Sequence, residues 1–134
     1  MKGDKLDVVR AWLQKAENDL ITAKHTMKLE KPPCDTVCFH AQQCAEKYIK
    51  GYLTYIEKEF PKTHSIEDLI LLCRDICPSI ELEADGAEVL SSYSVEVRYP
   101  SEVYYEIPRE DAEEAIAIAL KIRAVILNAL QDKL

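Results

Sequence analysis

His40, Gln43 and Lys47 follow one another at i, i+3 and i+7, so a helix through them places all three on one flank. An imidazole, a carboxamide and an ammonium in that row can meet a ligand phosphate or base, or can satisfy polar groups where helices pack. Gln42 and Glu46, one position round, read as internal partners of the second kind. Arg98 is followed by Tyr99-Pro100, with Tyr104 and Tyr105 a few residues on. A guanidinium fork grips phosphate at two points, and tyrosine rings stack on a base. The alternatives are an Arg98 paired with Glu96 or Glu102, or capping a helix end, and a tyrosine-rich loop used for packing. One observation favours a ligand. Arg98 is one of only two cations in residues 80–114, which carry eleven acids, so diffuse charge attraction is not its role. The candidate ligand-binding set is therefore Arg98, Tyr99, His40, Lys47 and Tyr104, and the expected ligand carries a phosphate.

Metal and thiol chemistry are weaker readings. The five cysteines, Cys34, Cys38, Cys44, Cys73 and Cys77, are odd in number and come with no export signal, which suits reduced thiols. Cys34/Cys38 and Cys73/Cys77 are i,i+4 pairs from which a four-thiolate zinc site can be drawn, yet Cys also serves as a small buried hydrophobe, the default here. The acids Glu110, Asp111, Glu113 and Glu114 complement a helix N-terminus without needing a metal. His64, just before Ser65, reads as an aid to helix capping. No metal, no cofactor and no catalytic residue is assigned.

The elements that must position these groups are helical. The chain has 134 residues, 48 % apolar and 31 % charged, enough of each for one domain (1–134) with a core and a solvated surface. Three glycines and six prolines are too few for a hairpin-rich β protein. No apolar run approaches 18 residues and no apolar segment follows the charged N-terminus, so a cytoplasmic protein with no membrane span is expected. The net charge of −7 is uneven: residues 80–114 hold −9 and the rest +2, which disfavours steering toward a polyanion.

Apolar residues at three- and four-residue spacings predict long helices near 4–28, 35–58 and 109–131. Asp4 is placed to cap the first, and Pro32-Pro33 stops it. The second is apolar over more than half its circumference, as befits the middle of a bundle, and Gly51 within it points to a close neighbour. Ser65-Ile66-Glu67-Asp68 resembles a capping box for a short third helix to Cys73, with Pro78 breaking it. Residues 84–97 form a weaker fourth helix, 99–107 a loop, and Pro108 opens the last helix. The fold class is all-α, an antiparallel up-and-down bundle of four to five helices. Its size and the wide apolar face of the second helix lead us to expect a homodimer.

Four segments together resemble the HEPN superfamily: Trp12…Ala16-Glu17-Asn18-Asp19-Leu20, Cys38-Phe39-His40-Ala41-Gln42-Gln43-Cys44-Ala45-Glu46-Lys47-Tyr48-Ile49-Lys50, Pro61-Lys62-Thr63-His64-Ser65-Ile66, and Tyr93…Arg98-Tyr99-Pro100. The resemblance covers most of the chain in the expected order. It implies a dimer of helical bundles with the Arg98 segment facing a cleft between protomers. It also implies one of three activities: metal-independent ribonuclease action through an Arg-x(4–6)-His motif, nucleotide binding, or a toxin–antitoxin-like partnership with a small nucleotidyltransferase.

The nuclease motif is missing. Five to seven residues after Arg98 stand Val103, Tyr104 and Tyr105; the other arginines lead to no histidine either, and His25, His40 and His64 all precede Arg74. Metal-free RNA cleavage needs a proton carrier near neutral pH, which histidine provides, arginine does not, and tyrosine provides only if its pKa of about 10 is strongly depressed. The leading expectation is thus a nucleotide- or RNA-associated binding module, dimeric and partnered with a nucleotidyltransferase. The alternatives are a ribonuclease that uses Arg98 with His40 or Tyr104, and a ligand-free dimerisation domain.

Overall fold

The computed structural model describes residues 2–93 and 106–134, with side chains from Asp4 onward. Among them five α-helices succeed one another: α1 (Lys2–Met27), α2 (Cys34–Tyr55), α3 (Ile66–Cys73), α4 (Ala84–Ser91) and α5 (Arg109–Ala129), with a 3-10 turn, Pro78–Glu83, leading into α4. No strand occurs among the described residues. The fold is the expected all-α antiparallel bundle.

α2 is its axis. Thirteen of its 22 residues are buried, because α1 and α5 pack along it and α3 and α4 cover the remainder. Its broad apolar face is thus covered within one chain and does not of itself call for a second copy. Gly51 sits where α1 crosses α2: a Cβ there would lie 3.1 Å from Trp12 Cβ and 3.2 Å from Leu13 Cδ2, so only the missing side chain lets the backbones approach.

Helix ends depart from expectation for local reasons. α1 already includes Lys2, so Asp4 lies in its first turn rather than capping it. There its charge complements the helix dipole. Arg109 closes the other end of α1, donating to the carbonyls of Met27 (3.4 Å) and Leu29 (3.2 Å) from the start of α5. α2 stops at Tyr55, not near 58. Glu57 takes a left-handed φ of 57°, and the Glu57 and Lys58 amides fold back on the carbonyls of Thr54 and Leu53, a Schellman arrangement without glycine. Ser65 caps α3 as expected, its hydroxyl accepting from the Asp68 amide. The reciprocal half of the box is not made by Asp68: the Ser65 amide donates to Thr63 Oγ1 at 3.0 Å, and Glu67 receives hydroxyl hydrogens from Ser65 (2.8 Å) and Ser91 (2.6 Å). Pro78 starts the 3-10 turn rather than merely ending a helix, and Pro108 flanks α5 instead of opening it. α4 is described to Ser91; residues 94–97 of the expected fourth helix, with the loop to Tyr105, lie outside the described residues.

Candidate functional site

The Ala16–Leu20 segment turns two residues inward and two carboxylates toward α2. Ala16 and Leu20 are buried in the core, which fixes the rotation of α1 and leaves Glu17 and Asp19 on the α1–α2 seam. Asp19 reaches across with both oxygens: Oδ1 lies 2.8 Å from His40 Nδ1, and Oδ2 accepts from Lys47 Nζ at 2.6 Å. His40 and Lys47, expected on one flank of α2, are thus brought together on one carboxylate. Gln43, between them, donates instead to Gln42 Oε1 at 2.7 Å.

Half a turn away, Glu17 receives a forked contact from Arg123 of α5, Nε at 3.0 Å and Nη2 at 3.2 Å. The Tyr48 hydroxyl donates to Glu17 and accepts from Arg123 Nε at 3.1 Å. Burial alone would raise the Glu17 pKa, but hydrogen bonds from Arg123 and Tyr48 and the guanidinium charge outweigh it and hold the carboxyl below its usual range. Burial, then the Glu17 hydrogen bond and charge, push the Tyr48 phenol well up, so it stays protonated. The hydrogen bond to Glu17 raises the Arg123 pKa further.

A third cluster surrounds Glu46, which is buried. Gln42 Nε2 (2.9 Å) and His64 Nδ1 (2.9 Å) meet Oε1, and Lys50 Nζ (3.0 Å) meets Oε2. The second amide hydrogen of Gln42 goes to the His64 carbonyl at 3.1 Å. Gln42 and Glu46 are the internal partners that their positions suggested. His64 differs from expectation: its imidazole serves Glu46 and its carbonyl serves Gln42, while Ser65 does the capping.

Beside His40 the start of α2 opens into a cavity of about 340 Å³, lined among the described residues by Asp35, Thr36, Phe39 and His40. Arg98, Tyr99 and Tyr104 lie outside the described residues, as does Tyr105. Four of the five cysteines behave as core: Cys38, Cys44, Cys73 and Cys77 are buried, Cys34 is half-buried, and burial pushes the thiols of Cys38, Cys44 and Cys73 up to about 12. Among the described residues no group of three metal-binding side chains could hold an ion, and no helix is long and apolar enough to cross a membrane.

Sequence reasoning overlooked Arg123 and its partner Glu17. The signal was there to read. Arg123 stands four residues after buried Ala119 and three before buried Ile126, so it borders the inward stripe of α5 and needs a buried-side partner.

These three carboxylate-centred clusters, two of them anchored in Glu17 and Asp19 of α1 and all of them using α2, draw every member except Arg123 from the segments that resembled HEPN proteins. The HEPN domain family model matches residues 9–130. The chain belongs to the HEPN family. MJ1304 of Methanocaldococcus jannaschii, described as a candidate toxin, is 27 % identical over 98 % of this chain and 93 % of its own length. The crystal structure of TT1696 from Thermus thermophilus superposes with a TM-score of 0.78 at 29 % identity, covering 91 % of this chain and 98 % of that one. ST0689, described as an archaeal HEPN homologue, gives a TM-score of 0.69 at 30 % identity, with 90 % and 95 % covered. The HEPN domain therefore takes in nearly the whole chain, and all three polar clusters lie inside it.

Proposed function

We propose that this HEPN protein is a toxin-like binding module that holds a nucleotide or an RNA end, works as a homodimer, and acts beside a nucleotidyltransferase partner. The observation that carries the reading is the missing nuclease spacing: no arginine is followed by a histidine five to seven residues on. Likeness to a relative described as a candidate toxin supports the toxin-like part. Exposed Leu71, Ile76 and Leu82, the last 83 % accessible, are apolar surface that a second copy or a partner could cover.

Arg98 is the proposed phosphate contact, on the chemistry of its planar fork. Calorimetric titration with AMP tests this: the wild type should bind, Arg98→Ala should not, and Arg98→Lys should bind several-fold more weakly. Incubation with single-stranded RNA in EDTA should leave the RNA intact. Cleavage that is lost in Arg98→Ala would replace the binding reading with a ribonuclease of altered active site.

A further inference from the structure

The 3-10 turn Pro78–Glu83 runs straight into α4, and the combined stretch has two unlike faces. Ile80, Ala87 and Leu90 are buried in the core, whereas Glu81, Leu82, Asp85, Glu88 and Val89 are all exposed on the other side. Leu82 and Val89 stand seven residues apart, two turns, and so lie in line; Glu81 and Glu88 form a parallel row, with Asp85 between the two. Leu82 is the most exposed large apolar side chain described. Arg74 reaches Glu81 at 3.6 Å, which brings the end of α3, with exposed Leu71 and Ile76, beside this ridge.

Such a face is unfavourable on a protein alone in water. Leu82 leaves apolar surface in contact with solvent, and carboxylates three and four residues apart repel one another along a helix. Residues 75–91 hold five acids and no cation, and Asp85 and Glu88 make no ion pair or hydrogen bond among the described residues. Arg109, one of the two cations of the acidic window, is committed to the carbonyls at the end of α1. Glu17, Asp19 and Glu46, by contrast, each meet a cation within the chain.

We infer that this ridge is the docking surface for a partner protein, which lays across it an amphipathic helix whose apolar stripe is edged by Lys or Arg. Charge decides between the occupants. A second copy joined by a two-fold axis through the ridge would set the row of Glu81, Asp85 and Glu88 against its own mate, and an RNA would bring phosphates to it. Both meet repulsion. A basic amphipathic helix covers Leu82 and Val89 and neutralises the carboxylates beside them in one contact. The inference rests on the partner part of the reading above, not on its nucleotide part, and it leaves the homodimer to another face.

The probe is a fluorescein-labelled Leu/Lys peptide of amphipathic helical pattern, titrated with the full chain and followed by anisotropy. It should bind, a Ser/Lys peptide of the same pattern should bind at least tenfold more weakly, and a Leu/Glu peptide should not bind. Leu82→Ser should weaken binding at least fivefold with the charge unchanged. Asp85→Asn with Glu88→Gln should weaken it similarly and flatten its salt dependence, whereas Glu30→Gln with Glu59→Gln, exposed acids away from the ridge, should change neither. All these side chains are exposed, so the variants keep the fold. Backbone amide shifts induced by the peptide should fall on residues 81–89. Equal binding of the Ser/Lys peptide, no binding of the Leu/Lys peptide, undiminished binding by Leu82→Ser, or an equal loss in the Glu30/Glu59 variant would overturn the inference. Shifts on another face would overturn it while the partner reading stands. A Leu82→Ser variant turned monomeric in light scattering would give the ridge to a second copy instead.

Discussion

Glu46→Gln should be among the most damaging conservative substitutions in this protein. The Glu46 side chain is 5 % exposed and faces three donors, Gln42 Nε2 at 2.9 Å, His64 Nδ1 at 2.9 Å and Lys50 Nζ at 3.0 Å. Glutamine keeps the shape but turns a hydrogen-bearing amide toward at least one of them and leaves Lys50, itself only 10 % exposed, without its counter-charge. Removing one partner of a buried ion pair costs about 3–5 kcal/mol, a large share of the roughly 5–15 kcal/mol that holds a domain together. We expect the lower end, about 3 kcal/mol, because the Lys50 ammonium lies 5.9 Å from the Trp12 ring and 5.7 Å from the Phe60 ring, which compensate in part. Acid should expose the same carboxylate. Burial alone would raise its pKa, but hydrogen bonds from Gln42, His64 and Lys50 hold it below the ordinary value of 4.5. A depressed folded-state pKa contributes stability that is complete above the unfolded value and lost as pH falls through the folded one. Urea unfolding followed by circular dichroism at pH 7 and at pH 4 and below should therefore show a lower midpoint for the variant at pH 7 and a shallower loss in acid. Glu46→Gln with Lys50→Met should recover part of the deficit. A loss under about 1 kcal/mol at pH 7, or an acid slope equal to that of the wild type, would refute the reasoning.

Glu57→Gly should raise stability by about 0.5–1 kcal/mol in urea unfolding, because glycine takes the left-handed φ of 57° without Cβ strain and the ion pair to Lys5, with Glu57 78 % exposed, is weak. Gly51→Ala should lower the melting temperature by several degrees: a Cβ 3.1 Å from Trp12 Cβ forces α1 and α2 apart at about 1–3 kcal/mol, more than the roughly 1 kcal/mol of helix propensity gained. Arg123→Lys should cost about 1 kcal/mol in the same assay, since an ammonium cannot make both the Glu17 fork and the Tyr48 contact. Light scattering at micromolar concentration should report a homodimer, and Leu82→Asp should shift it toward monomer if the apolar surface of the 3-10 turn takes part.

The long helices were legible because each repeats its apolar positions over five turns or more, and no local feature outvotes that sum. Short elements carry no such sum. The turn over Pro78–Glu83 has a single buried residue, Ile80, and nothing periodic announces it. The early end of α2 was hidden for another reason: Glu57 adopts a conformation that usually marks glycine or asparagine, so the sequence shows no stop there. At the candidate site, spacing on one helix found His40 and Lys47 as a pair. It did not find Asp19, which lies 21 and 28 residues earlier and meets them only through the packing of α1 on α2. Partners within a helix follow from its period; partners across a seam depend on how two helices are rotated, which the positions of Ala16 and Leu20 settle only once they are known to be buried.

That rotation bears on function as much as on stability. α2 places Gln42, Gln43, Glu46, Lys47, Tyr48 and Lys50 in near succession, and within the chain each already has a partner. Such saturation locks the helix in one orientation, because a slip would leave buried donors and acceptors unpaired at about 1–3 kcal/mol each. The polar character of this motif is thus largely consumed in fixing the scaffold, and its charged groups on α2 are committed within the chain before any ligand arrives.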